Sequence, residues 1–159
     1  MPSVRIRLPA PKYKTMQLDN KILDQICQAA DFKNPTENLR QAQHLIQLMM
    51  REHGIGLAAN QVGINLRLFV MYVDKEIFHC FNPEILSSKD NCIMVEGCLS
   101  FPGERLDIER AAEIQVKYYN ARGVEQQRVF QGIAARCFQH ELDHLNGITM
   151  YERQKITQS

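Results

Sequence analysis

The chain has 159 residues, 45% of them hydrophobic and 23% charged, with 19 basic and 18 acidic side chains for a net charge of +1. That is globular composition at a size suited to a single domain over residues 1–159, and it excludes a disordered or low-complexity protein. The balanced charge offers no electrostatic footprint for nucleic acid or anionic lipid, so neither nucleic-acid nor membrane binding is expected.

In chain order, the first eighteen residues hold Arg5, Arg7, Lys12 and Lys14 and no acid. Pro2, Pro9 and Pro11 interrupt them and no apolar stretch follows, so they read as a structural arm and not as a targeting segment. A helix is predicted from Pro35 to His53: Asn34 can cap it, Pro35 suits the first turn and Gly54 stops it. Leu39, Ala42, Ile46, Met49 and Met50 recur at three-to-four spacing and mark its apolar face. Short strands are predicted at Arg67–Val73 and Ile77–Phe81, the second ended by Asn82-Pro83. Glu113–Tyr119 and Val124–Phe130 read as a hairpin turning through Asn120 to Gly123. A second helix runs from Ile133 to Leu145 and stops at Asn146-Gly147. The pattern predicts an α+β fold, with short, mostly antiparallel strands packed around this central helix and a second helix N-terminal to them.

No apolar run reaches the ~18 residues of a spanning helix. Five cysteines, at 27, 80, 92, 98 and 137, are an odd number behind no secretory signal. Free thiols in a reducing compartment, the cytoplasm, are the expected state.

The second helix carries Gln139-His140-Glu141-Leu142-Asp143-His144. Histidines at i and i+4 share one helical face, where two imidazoles can bind one metal ion, and Glu141 can reach a water there without being a ligand. A third ligand is then required. In the extended zinc-protease pattern the third histidine would fall ten residues after His140, where this chain has Met150. Cys98, in Glu96-Gly97-Cys98-Leu99-Ser100, is the better candidate, because a thiolate with two imidazoles leaves one position open for water. A cysteine nucleophile is the competing reading, but it needs one histidine and not two. A further segment, Gly54-Ile55-Gly56-Leu57-Ala58-Ala59-Asn60-Gln61, lets backbone approach a ligand, and the Gln61 amide can donate to a developing oxyanion.

These three segments, in this order, resemble the signature motifs of the peptide deformylases: G-x-G-L-A-A-x-Q, E-G-C-L-S and Q-H-E-x-D-H. Every fixed position is matched, and the resemblance is strong over Gly54–Gly147. It implies removal of the formyl group from N-formylmethionine on nascent chains. One divalent metal ion, ferrous iron in life with zinc or nickel able to substitute, would be held by Cys98, His140 and His144. Glu141 would act as general base and then acid, with the oxyanion held by the metal, the Gln61 amide and the Leu99 backbone N–H. The peptide would lie extended along Gly54, Ile55 and Gly56 and the strand before Cys98. Gly97 would leave room for the formyl group, and Ile55, Met94, Ile133 and Cys137 would line the methionine pocket. Asp143, not a ligand, would orient an arginine, with Arg110 one candidate, or make another contact behind the ligands. Little sequence follows Tyr151, where many bacterial relatives carry a further helix that bears on ribosome proximity. The other readings are a different H-E-x-x-H peptidase and a non-catalytic binding domain that keeps the fold. The remaining cysteines, Cys27, Cys80, Cys92 and Cys137, are expected as core thiols.

Overall fold

The computed structural model describes residues 16–159, so the expected N-terminal arm lies outside the described residues. Helix α1 (Pro35–Arg51) leads into β1 (Gly56–Ala58), a single 3-10 turn (Ala59–Gln61) and β2 (Leu68–Val73). Then come β3 (Glu76–Cys98), β4 (Phe101–Tyr119), β5 (Glu125–Gln131), α2 (Gly132–Leu145) and α3 (Met150–Gln158). The five strands form one antiparallel sheet in the order β1-β2-β3-β4-β5. The class is α+β, as the residue pattern implies.

Two strands are much longer than the pattern implies: β3 has 23 residues and β4 has 19. The chain passes through Asn82-Pro83 as a register shift between Phe81 and Glu84, with Asn82 at φ 46°. There the Asn82 side chain pairs with the Ala30 backbone, accepting from its N–H at 2.8 Å and donating to its carbonyl at 3.0 Å. A proline without an N–H is tolerated at such a bulge. Helix α3 is likewise an element that the residue pattern does not mark. Thr149 and Glu152 cap its start, Thr149 N–H donating to Glu152 Oε2 at 2.9 Å.

The core has two parts, one on each face of the sheet. Along β2, Phe69, Met71 and Val73 face α2, while Leu68 and Val70 belong to the cluster containing Leu45 and Met49 of α1. β2 is thus sandwiched between the two helices. Phe69 and Phe138 meet edge-to-face at 5.0 Å between centroids, anchoring α2 on the sheet. On α1 the buried stripe is Asn38, Ala42, Leu45, Leu48 and Met49. Leu39 and Met50, expected on the apolar face, are 40% and 44% exposed, because the helix is turned toward its 38–42–45–49 row. Asn38 is satisfied there by donating to the carbonyls of Asp31 and Ala121. No helix among the described residues is long and apolar enough to cross a membrane.

Candidate metal centre

Gly132, at φ 58°, turns the chain from β5 directly into α2. This helix is buried along most of its length, including His140, Glu141, Asp143 and His144. Its i, i+4 histidines stand one turn apart, with Nε2 atoms 3.2 Å from each other. Cys98 ends β3 at the tip of the β3–β4 hairpin, pairs with Phe101, and presents Sγ 3.3 Å from His144 Nε2. The three donor atoms lie within 4.8 Å of one another. Ligands at ordinary zinc–nitrogen and zinc–sulfur distances around a tetrahedral ion stand roughly 3.3–3.6 Å apart. The donor set and its spacing therefore fit one divalent ion.

The surroundings also suit ligation. His140 Nδ1 lies 2.8 Å from Glu96 Oε1, a pairing that directs the Nδ1 proton at the carboxylate and turns Nε2 toward Cys98 and His144. Burial holds His144 well below the ordinary imidazole range, favouring the neutral, ligating form. For His140 burial acts the same way, but hydrogen bonds to Cys98 and Glu96 outweigh it and raise its pKa to about 10. Metal loading there must displace a proton. Burial also tends to raise Glu96, yet bonds from His140 and Arg110 hold it well below the usual carboxylate range.

Glu141 is buried, and among the described residues its Oε2 has no hydrogen-bond partner. Burial, only partly offset by His140 and Arg110, pushes its pKa up to about 7. A buried carboxyl with one oxygen unpaired and a pKa near neutrality, beside a candidate metal centre, is suited to accept and return a proton. Gln61 is also buried: its Oε1 accepts from Ala58 N–H at 2.9 Å. Its Nε2 donates to Ser100 Oγ at 3.0 Å and lies 3.6 Å from Cys98 Sγ. Leu99 folds over Gly54, where an added Cβ would come 2.6 Å from Leu99 Cδ1, so that glycine seats the hairpin tip.

A cavity of about 610 Å³ opens over these groups. Gly54, Ile55, Gly56 and Gln61 border it on one side, and Met94, Gly97, Cys98 and Leu99 on another. From α2 come Ile133, Cys137, His140 and Glu141. His144 lies behind this wall, 1% exposed. Cys27, Cys80 and Cys137 are buried, and burial raises all three thiols. Cys92 is a correction: it is exposed, within a run of exposed residues in the second half of β3.

Asp143 does bind Arg110, whose Nη1 donates to Oδ2 at 2.6 Å. The sequence reading missed the rest of this buried network: Glu96, Arg136 and Arg153. Arg110 forks onto Glu96 at 2.7 and 2.9 Å, and Arg136 donates to Glu96 Oε2 at 2.6 Å. The one sequence signal was an acid two residues before the candidate thiolate ligand.

Fold and site together define a metallohydrolase whose candidate metal centre combines a helix-borne His-Glu-x-x-His with a cysteine from a hairpin tip. The chain matches the polypeptide deformylase family over residues 12–159. It is 46% identical over 119 residues to a peptide deformylase of Thermotoga maritima, covering 74% of this chain and 73% of that one. A peptide deformylase of Carboxydothermus hydrogenoformans is 37% identical over 142 residues, 89% of this chain and 92% of that one. The crystal structure of a Thermotoga maritima peptide deformylase superposes with a TM-score of 0.83 at 38% identity, covering 89% of this chain and 98% of that one. The chain belongs to the polypeptide deformylase family.

Proposed function

We propose that this single-domain enzyme removes the formyl group from N-formylmethionine at the start of newly made polypeptides. The observation that carries the reading is the convergence of Cys98, His140 and His144 within 4.8 Å beside buried Glu141, in a chain of this family. Cys98, His140 and His144 would hold one divalent ion. Thiolate with imidazole suits ferrous iron, which we take as the ion in life, and equally zinc or nickel. When bound, the ion supplies Lewis acidity to the reacting formyl group and water.

Glu141 takes a proton from the attacking water as its oxygen bonds to the formyl carbon. It returns that proton to the departing amine as the C–N bond breaks, leaving formate and a free N-terminus. The Gln61 side-chain amide and the Leu99 backbone N–H donate to the oxygen that becomes negative. The Gln61 amide is already aimed by its bonds to Ala58 and Ser100, so little reorganisation is needed. The peptide backbone runs extended beside Gly54–Gly56 and the end of β3, with Gly97 leaving space at the formyl end. Ile55, Met94, Ile133 and Cys137 offer the methionine side chain an apolar wall. A relative from Acinetobacter baumannii was solved with Met-Ala-Ser bound, at 34% identity and a TM-score of 0.83 over 88% of this chain and 98% of that one. That complex supports a peptide starting with methionine as the ligand here. An enzyme acting on nascent chains would work in the cytoplasm, in transient proximity to the ribosome.

The test is formate release from a formyl-Met peptide under anaerobic conditions, with metal analysis and Glu141→Ala as control. Release by the wild type that vanishes in the control supports the reading. A fully metallated wild type that releases none overturns it.

A further inference from the structure

Helix α3 reaches the candidate metal centre through an unbroken run of charged hydrogen bonds. Arg153, one turn into α3, forks onto Asp143: Nε donates to Oδ2 at 2.9 Å and Nη2 to Oδ1 at 2.6 Å. Asp143 Oδ2 also accepts from Arg110 Nη1 at 2.6 Å. Arg110, its side chain 3% exposed, forks onto Glu96, and Glu96 Oε1 meets His140 Nδ1 at 2.8 Å. Every link is charge-assisted, and both arginine–carboxylate forks are bidentate, which fixes orientation as well as distance. We propose that Arg153 is a positioning residue for His140, acting through Asp143, Arg110 and Glu96.

The physical case rests on Asp143. Its carboxylate serves two guanidiniums, and only Arg153 engages both of its oxygens. Without Arg153 the carboxylate keeps one partner and can rotate about its own axis. Arg110 would then be held firmly at its Glu96 end alone. The Glu96 oxygen that aims the His140 ring would follow that looseness, and such outer partners set ligand orientation and basicity.

Arg153 does not hold α3 in place by itself. Tyr151 packs edge-to-face on Phe101 at 5.1 Å, Thr149 and Glu152 cap the first turn, and Gln154 Nε2 donates to the Asp107 carbonyl at 3.2 Å. The Arg153 side chain is 27% exposed, so its removal opens no deep cavity.

This inference rests on the reading that Cys98, His140 and His144 hold the ion, and the experiment separates the two. Metal-stripped wild type, Arg153→Ala, Arg153→Lys and Gln154→Ala are titrated with cobalt(II). Affinity is read by chelator competition, and geometry by the visible absorption of the cobalt–thiolate complex. The Arg153→Ala variant is expected to bind cobalt about tenfold more weakly, the lower end of what losing an outer partner of a metal-bound histidine costs. Its absorption band should shift, and its kcat should fall with KM unchanged. Arg153→Lys, which keeps the charge but not the fork, should be intermediate. Gln154→Ala, which loosens α3 without touching Asp143, should bind like the wild type. Wild-type affinity and spectrum in Arg153→Ala overturn the inference alone, as does an equal loss in Gln154→Ala. A wild type that forms no one-to-one cobalt complex overturns the metal-centre reading along with it.

Discussion

A Cβ added to Gly56 would stand 2.5 Å from Glu141 Oε1 and 2.7 Å from Cys137 Sγ, so the bare backbone of β1 is what leaves room for this carboxylate. The pairing of Gly56 with Met71 fixes that strand against β2, and it cannot simply recede. Gly56→Ala should therefore displace Glu141. A misplacement of about 1 Å can cost on the order of a hundredfold in rate. We expect kcat to fall by about that factor while the metal content stays at one ion per chain. Metal analysis beside steady-state kinetics checks this, and a joint loss of metal and activity would show that the strain spreads to the ligands instead.

Glu141→Gln keeps the shape and removes the proton acceptor. A positioned acid–base group contributes typically about 10²–10⁴-fold, and we expect a loss in that range. The same variant should change stability with pH. The ordinary carboxyl value is 4.5, and burial lifts Glu141 in the folded chain to about 7. Below 4.5 both states are protonated. As pH rises from 4.5 to 7 the unfolded chain ionises first, so folding loses on the order of 3 kcal/mol, and the loss is complete above pH 7. In chelator-treated protein, the Tm of Glu141→Gln relative to wild type should thus climb between pH 5 and pH 8. A difference that stays constant over that range contradicts the shift.

How much of this was legible in the sequence differs from residue to residue. The His140–His144 face follows from helical spacing alone, and its convergence with Cys98 from the chemistry of a third donor. The extent of β3 does not. Asn82-Pro83 has the composition of a stop, and only the tertiary bond of Asn82 to Ala30 turns it into a bulge inside a strand. The polar residues 87–91 lie on an exposed stretch of that strand, where no hydrophobic alternation marks it. On α1, Leu39 and Asn38 compete for the same face, and the asparagine is inside because two carbonyls from distant segments receive it. Arg153 was invisible for a similar reason: a surface-type residue on a short polar helix gains its meaning from Asp143, ten positions away.

Gln61→Ala removes one oxyanion donor, a change that typically lowers kcat by about 10²–10³. The alanine also leaves Ala58 N–H without its acceptor and Ser100 Oγ without its donor, so a modest drop in Tm should accompany the kinetic loss. Gln61→Glu separates the two effects. It can still accept from Ala58 but offers no N–H to the substrate. We expect it to match the alanine variant in kcat, with a Tm that drops as pH rises and the buried carboxyl ionises, which the alanine variant should not show. A glutamate variant as active as wild type would remove Gln61 from the reaction.

Glu96→Gln tests the charge network under the site. Glu96 answers two buried guanidiniums, Arg110 and Arg136, and the latter also donates to the Ile108 and Cys92 carbonyls. Breaking a buried ion pair from one side typically costs about 3–5 kcal/mol, because the remaining charge stays buried without its partner. The substituted amide could still accept from His140 Nδ1 through its oxygen, but one amide oxygen cannot take the Arg110 fork, so metal affinity should fall along with stability. The effect has a pH signature. His140 and Arg110 overcome burial and hold the Glu96 carboxyl well below its ordinary 4.5, so the stability it contributes is present above that value and is lost as pH falls through the folded pKa. The gap between wild type and Glu96→Gln should thus be widest above pH 5 and narrow steadily in acid, read from denaturant midpoints. A gap independent of pH would mean that the glutamate acts by shape and not by charge.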